Sequence, residues 1–338
     1  MEERTIDKFD LKIIETKSVD PYYNLALEWQ LLKNLECGEV ILYLWQNEKT
    51  VVIGKNQNAY AQCNVELLKK NGGLVARRPS GGGAVYHDLG NLNFSFLARG
   101  ELYDTGRQLG IIADTVCSLG IDARITGRND VETDGKKFSG NAFYRIGDRR
   151  CHHGTVMVDT DKEAVARYLN VSAQKLKSKG IDSVKSRVCC LGDLKPGVDV
   201  KQVKDAIAVQ FANHYNAEPQ LVDETRTNGG EIAKRAELYG SWDWLFGNRI
   251  SFTNEFETRF DWGEVNLVLD VKHGVIQSAQ LYTDALDADF GRDICAALIS
   301  KRYGADSITQ AISEIEAHDE DMKRMNRDIA DYISGAMG

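Results

Sequence analysis

No two cysteines stand at CxxC spacing, no apolar stretch is long enough to span a bilayer, and basic residues are in deficit. Each absence removes a class of protein. Seven cysteines spread over 338 residues, an odd number without short spacings, read as reduced thiols and not as a secreted disulfide framework. Only Cys151, His152 and His153 approach the ligand spacing of a structural zinc site. A net charge of -8 is the wrong sign for a surface that must displace counterions from nucleic acid, so any phosphate site must be local. The opening Met-Glu-Glu-Arg-Thr-Ile-Asp-Lys has neither the basic start and apolar run of a signal peptide nor the acid-poor composition of a transit sequence. With no membrane span either, a cytoplasmic location is expected. Internal repeats and low-complexity segments are also lacking.

What is present is a globular composition, 43% hydrophobic and 27% charged, in a chain whose length favours one large domain plus a smaller one. Asn24 to Leu35 places leucines at helical intervals, with Gly38 as a stop. Ile41 to Trp45 and Thr50 to Ile53, separated by a polar tetrapeptide, predict a hairpin. Leu92, Phe94 and Phe96 alternate with Asn91, Asn93 and Ser95, the period of a strand with one buried face. Thr105 to Leu119 predicts a helix capped by Gly120, and Phe138 to Ile146 with Cys151 to Val158 predicts a hairpin around Gly147-Asp148. Hairpins mixed with helices imply an α+β fold, with mixed or antiparallel sheets flanked by helices.

The polar, glycine-containing stretch 223 to 233 reads as an exposed connection, which sets expected domains of 1–245 and 246–338. In the second, Val265, Leu267, Leu269 and Val271 alternate, Lys272-His273-Gly274 turns, and a further strand leads to Tyr282 and two or three helices. That is a small α+β unit.

The densest chemical signal is Arg77-Arg78-Pro79-Ser80-Gly81-Gly82-Gly83-Ala84-Val85-Tyr86-His87-Asp88. Three successive glycines let a backbone approach a ligand closely, and two arginines supply fixed positive charge for phosphate or carboxylate oxygens. The segment is neither a Walker A loop nor a dinucleotide fingerprint, and as a triplet alone it serves equally as a turn between strands. A second signal is Gly127-Arg128-Asn129-Asp130 followed by Lys136-Lys137-Phe138-Ser139-Gly140-Asn141-Ala142. Lys137 beside Ser-Gly is either a solvated surface lysine or a pocket cation that balances charge between reacting anions. His152-His153-Gly154-Thr155 is the third, packed in a strand or set near a pocket.

In this order the motifs resemble the lipoate-protein ligase A family of the bacterial two-domain type. Asp20-Pro21-Tyr22-Tyr23-Asn24-Leu25-Ala26-Leu27-Glu28, Leu44-Trp45-Gln46-Asn47, Val52-Ile53-Gly54-Lys55-Asn56-Gln57-Asn58 and Lys179-Gly180-Ile181 through Ser186-Arg187-Val188 are similar to further signatures of that family. The resemblance implies a biotin and lipoyl ligase-like catalytic domain with an accessory C-terminal domain. It also implies a two-step reaction in which lipoate is activated by ATP as an adenylate and then passed to a carrier lysine. By the same resemblance Arg78, Gly83, Ala84, Val85, Tyr86, Asn91, Asn129, Asp130 and Lys137 hold the nucleotide, and Lys137 is catalytic. Lys137, Trp45, Gly82 and His87 are implied to meet lipoate, and Asp130 to meet magnesium or orient Lys137. ATP and Mg2+ are the implied co-substrate and activator, without a tightly bound prosthetic group. The implied partners are lipoate, possible competition from octanoate, and the lipoyl domains of 2-oxo acid dehydrogenase acyltransferase subunits and glycine cleavage H protein. Neither nucleic acid nor membrane is among them.

Three rivals remain at this point. An octanoyl or lipoyl transferase of the same fold works without ATP through a cysteine thioester; the stretch where the resemblance implies that cysteine, Thr126 to Val131, contains none. A biotin ligase carries a glycine and arginine-rich loop ending in tryptophan, which Ser-Gly-Gly-Gly-Ala-Val replaces here. A catalytically silent lipoyl-binding module would have no need of the intact arginine pair, glycine triplet and Lys137.

Overall fold

The structure, a computed structural model, describes residues 9–126, 130–170, 188–224, 229–247 and 253–337. The chain divides into two compact units. The first is Met1–Val52, Cys63–Ala76 and Val85–Ser241; the second is Ile53–Gln62, Arg77–Ala84 and Trp242–Gly338. The strands in chain order are β1 (Asp10–Glu15), β2 (Glu39–Trp45), β3 (Thr50–Ile53), β4 (Leu74–Arg77), β5 (Val85–His87), β6 (Asn91–Arg99), β7 (Arg124–Thr126), β8 (Asp130–Thr133), β9 (Lys136–Ile146), β10 (Arg149–Met157), β11 (Gln220–Asp223), β12 (Asn254–Arg259), β13 (Glu264–Lys272) and β14 (Val275–Thr283).

The first unit is built on an eight-stranded sheet of order β11-β1-β2-β6-β10-β9-β8-β7. β1 pairs in parallel with β2 and β11, whereas β2, β6, β10, β9, β8 and β7 pair antiparallel in turn, so the sheet is mixed. The run Glu-Val-Ile-Leu-Tyr-Leu-Trp of β2 is buried throughout, as a strand flanked on both edges and covered on both faces must be. One face carries the main core: Leu42, Leu44, Phe94 and Phe96 pack with Ile112 and Val116 of helix Thr105–Ser118 and with Ile207 and Phe211 of helix Val200–Tyr215. Helix Pro21–Lys33 contacts β6 and β10 and starts where Asp20 accepts the Tyr22 N–H and Pro21 has no N–H to lose.

Two expectations are corrected here. Ile41–Trp45 and Thr50–Ile53 do not form a hairpin: the first becomes β2 between β1 and β6, and the second is β3, which lies between β4 and β5 in a separate three-stranded sheet. A continuous apolar run needs neighbours on both edges, and a local partner supplies only one. β6 is also buried on its polar face, because Asn91, Asn93 and Ser95 are hydrogen-bonded inside the unit. The expected β9–β10 hairpin is present, with Ile146 opposite Arg149 and Gly147 at φ +61°.

The second unit has a three-stranded antiparallel sheet, β12-β13-β14, turned at His273-Gly274, both with positive φ. Its apolar face, Phe256, Leu267 and Leu281, packs on Ile294, Ile308 and Ile329 from helices Phe290–Leu298, Ala305–Ser313 and Glu320–Met337. The excursions 53–62 and 77–84 join this unit through Arg77. That buried guanidinium donates to the carbonyls of Gly54, Lys55, Gln57, Trp244 and Leu245. Among the described residues no helix is long and apolar enough to cross a membrane.

Candidate functional site

β8 and β9 form a tight hairpin because Asp134 and Gly135 both accept positive φ. The register shifts between Val131 and Glu132, a bulge that re-aims the side chains beyond it. The result is an ion pair of Lys137 Nζ with Asp130 Oδ1 at 2.5 Å, with both side chains about one-third exposed. Gly140 makes room for the lysine, since a Cβ there would meet Lys137 Cε at 3.1 Å and Nζ at 3.3 Å. Lys137 is therefore a directed cation on a strand, held by a carboxylate, with its ammonium still reachable. Asn129, expected beside it, lies outside the described residues, as do Lys179 through Arg187.

Trp45, His87, Asn91, Val85 and Tyr86 also belong to the first unit. Trp45 is buried, stacked on Tyr43 and edge-on to His87 at 6.3 Å, and donates through Nε1 to Ser95 Oγ at 3.0 Å. The Asn47 amide donates to His87 Nδ1 at 3.1 Å and is itself oriented by Asn24, which assigns the His87 proton to Nε2. Asn91 donates to Asn93 at 3.0 Å. Tyr86 lies across from Val51 in β5, its hydroxyl pushed up to about 12 first by burial and then by Asp88.

Sequence reasoning missed the centre of this unit's polar layer. Glu28, fully buried on helix Pro21–Lys33, accepts from Ser95 at 2.5 Å and Tyr144 at 3.1 Å and meets His153 Nδ1 at 2.9 Å. Burial would raise the Glu28 carboxyl, but the His153 imidazole and these hydrogen bonds outweigh it and hold it below its ordinary value. The available signal was the polar alternation of Asn91, Asn93 and Ser95, which required a polar partner on the covering helix. Cys151, His152 and His153 do not converge as a trio. Alternation along β10 sends Cys151 and His153 to the Glu28 side, where the three ligand atoms lie within 4.8 Å of one another. His152 turns the other way, to Gln108 and Asn141.

Arg78, Gly82, Gly83 and Ala84 lie in the second unit. Arg78 donates to Ser80 Oγ at 3.0 Å and, through Nη2, to the carbonyls of Gly81 at 2.7 Å and Gly83 at 2.8 Å. The loop thus closes around its own cation. Two glycines are required by backbone contact: a Cβ on Gly81 would sit 2.3 Å from Ala285 O, and one on Gly54 2.2 Å from Gly82 O. Gly82 has φ +87° and donates its N–H to Ala285 O at 2.8 Å. Gly83 faces open space, with nothing within 4 Å of an added Cβ. The arginine pair is divided in role. Arg77 is buried among carbonyls, which lowers its guanidinium to about 10 by desolvation, and only Arg78 belongs to the loop.

All seven cysteines are described and none is disulfide-bonded. Cys151 is fully buried, and burial followed by the Glu28 charge pushes its thiol well above the ordinary value. Burial likewise raises Cys63, Cys189, Cys190 and Cys295. A thioester mechanism needs a thiolate, and these environments oppose one.

Residues 20–212 match the family model for the lipoyl protein ligase A/B catalytic domain, and residues 249–333 match that for the bacterial lipoate protein ligase C-terminus. A lipoate-protein ligase A from Blochmanniella floridana is 37% identical over 311 residues, covering 90% of this chain and 92% of the relative. LipL1 of P. falciparum, solved in complex with lipoate, superimposes with a TM-score of 0.84 at 28% identity, covering 96% of this chain and 99% of that one. A bipartite lipoate protein ligase from Thermoplasma acidophilum, studied with its E2 lipoyl domain, gives 0.62 at 25% identity over 73% of this chain and 100% of that one. A lipoate-protein ligase A bound with ATP gives 0.59 at 25% identity over 71% of this chain and 99% of that one. On these matches the chain belongs to the lipoate-protein ligase A family.

Proposed function

We propose that this chain uses ATP to activate lipoate as lipoyl-adenylate and then transfers the lipoyl group to a lysine of a lipoyl domain, in the cytoplasm. The single observation carrying this reading is the Lys137–Asp130 pair, a fixed yet reachable ammonium on a strand of a ligase-family sheet. In the first step a lipoate carboxylate oxygen attacks the α-phosphorus, and the bond to pyrophosphate breaks. Charge builds on the phosphoryl oxygens as it does so, and a preorganised ammonium is worth most there, about 3 kcal/mol for one well-placed donor. Lys137 supplies that donor, and Asp130 keeps its side chain in place before substrate arrives. In the second step a carrier lysine amine attacks the acyl carbon, AMP leaves, and the amine loses a proton.

Arg78 would exchange its loop carbonyls for phosphate oxygens, while Gly83, Ala84, Val85 and Tyr86 form the backbone run beside the nucleotide. Asn91 and Asn129 would add polar contacts to it. Trp45, Gly82 and His87 would border the acyl chain. Magnesium, which screens phosphate charge when bound, commonly takes one or two carboxylates plus phosphate oxygens, and Asp130 is the carboxylate suited to it. Residues 1–245 would carry this chemistry, with 246–338 as the accessory part. Carrier proteins of the 2-oxo acid dehydrogenase and glycine cleavage systems are the proposed acceptors, and octanoate a proposed competitor.

The cysteine route is disfavoured by the buried, high-pKa thiol of Cys151. The test is lipoate-dependent exchange of pyrophosphate into ATP. Lys137→Ala should abolish exchange while the circular dichroism spectrum stays unchanged; exchange at the wild-type rate would remove Lys137 from the mechanism.

A further inference from the structure

Cys151 and His153 stand two residues apart on β10, so they share one face of the sheet, and helix Pro21–Lys33 lays Glu28 over that face. The thiol, imidazole and carboxylate atoms all lie within 4.8 Å of one another. Among the described residues they are the one such group of three. Glu28 and Cys151 have no exposed surface and His153 is 6% exposed, so any charge gathered here must be balanced from within.

The donor set has a definite chemical preference. Sulfur, nitrogen and oxygen together suit zinc and its neighbours, whereas magnesium and calcium take oxygen alone. Bonds of about 2.0–2.3 Å set tetrahedral donors about 3.3–3.7 Å apart, a spacing the three side chains reach by small rotations. Charge matches as well. One carboxylate and one thiolate cancel a divalent cation, and a neutral imidazole adds nothing, which leaves the dry interior without net charge.

The surroundings are built to hold the carboxylate whether or not His153 does. Ser95 donates to Glu28 Oε1 at 2.5 Å and Tyr144 to Oε2 at 3.1 Å, while Ser95 is itself fixed by Trp45 Nε1 at 3.0 Å. Such outer contacts orient a metal ligand before the ion arrives. His153 Nδ1 meets Glu28 at 2.9 Å, and since an ionised carboxylate only accepts, that nitrogen carries a proton which a cation can replace.

We propose that Glu28, Cys151 and His153 form a buried binding site for a thiophilic divalent cation of the zinc class. On binding, the thiol S–H and the imidazole Nδ1–H bonds break, both protons leave to solvent, and bonds from the metal to sulfur, nitrogen and a carboxylate oxygen form. No electron changes hands. The site is separate from the magnesium that accompanies ATP, and its occupancy is read without any measurement of ligation.

The experiment is titration of the chelator-treated full chain with Co2+, followed by absorption in the near ultraviolet and visible. Wild type should develop a thiolate-to-cobalt charge-transfer band that saturates at one equivalent, is bleached by Zn2+ and is untouched by equimolar Mg2+. Cys151→Ser should abolish the band, and His153→Gln should raise the cobalt Kd at least about tenfold, the least that loss of a supporting contact to a metal site costs. Should His153→Gln fail to fold, the near-isosteric Cys151→Ser decides, checked by circular dichroism. Zn2+ should also raise the melting temperature of wild type and not of Cys151→Ser. Replacing the exposed Cys37 and Cys117 by serine should leave the band intact. Absence of the band in wild type, its survival in Cys151→Ser, its loss with Cys37 and Cys117, or bleaching by Mg2+ would each overturn the site.

Discussion

A single added methyl group separates the two jobs done by the glycine triplet. Gly81 is pressed against backbone, with Ala285 O 2.3 Å and Leu286 O 2.5 Å from where a Cβ would stand, whereas Gly83 meets nothing within 4 Å. Gly81→Ala should therefore cost roughly 2–4 kcal/mol in denaturant unfolding, because backbone cannot yield as a side-chain tip does. Gly83→Ala should leave unfolding unchanged within about 0.5 kcal/mol but weaken ATP binding measured by calorimetry. The same stability loss in both variants would mean that Gly83 is structural too. His152 offers a second residue-scale test. Burial, with a smaller contribution from His153, lowers its imidazole from 6.5 to about 3, so the folded protein keeps it neutral while the unfolded chain takes a proton below pH 6.5. Its contribution is complete above pH 6.5 and is lost progressively as pH falls toward 3. His152→Gln should accordingly flatten the stability decline between pH 7 and pH 5 relative to wild type, read from urea midpoints. An unchanged slope would mean that His152 is protonated in the fold.

The element most exposed to a polar change is helix Pro21–Lys33, because Glu28 carries the hydrogen bonds of Ser95, Tyr144 and His153 from the sheet beneath it. Glu28→Ala would strand those three groups in a dry interior, and a loss of about 3–5 kcal/mol in unfolding free energy is expected. A loss under 1 kcal/mol would show that water or rearrangement satisfies them. This layer also marks the limit of legibility at the scale of elements. The helical spacing within Asn24 to Leu35, the Gly147 hairpin and the alternating strands of the C-terminal unit were readable, because side-chain periods and positive-φ glycines act over a few residues, whereas the helix itself runs Pro21–Lys33 from a cap at Asp20 that the leucine spacing does not show. β2 and β3 were misread as a hairpin because their real partners, β1 with β6 and β4 with β5, lie elsewhere in the chain, and no short-range pattern encodes such pairings. Glu28 was invisible for the same reason. A glutamate among leucines looks like a solvent-facing helical position until the strand beneath it is known.

For the whole molecule, the order of motifs carried more than any one of them. Lys137 alone was indistinguishable from a surface lysine, and its pairing with Asp130 depends on a hairpin bulge that the sequence does not announce. The two units follow packing and not sequence order. Arg77 explains why: its five backbone hydrogen bonds gather the turn 54–57 and the residues Trp244 and Leu245 into one unit despite more than 160 intervening positions. The measurement that bears most directly on the account is the mass of a purified lipoyl domain after incubation with this chain, lipoate, magnesium and ATP. The account predicts a gain of one lipoyl group that requires ATP, disappears with Lys137→Ala, and persists when every cysteine is replaced by serine in a variant verified as folded. Transfer that proceeds without ATP from an acylated carrier, and is lost in that cysteine-free variant, would contradict it.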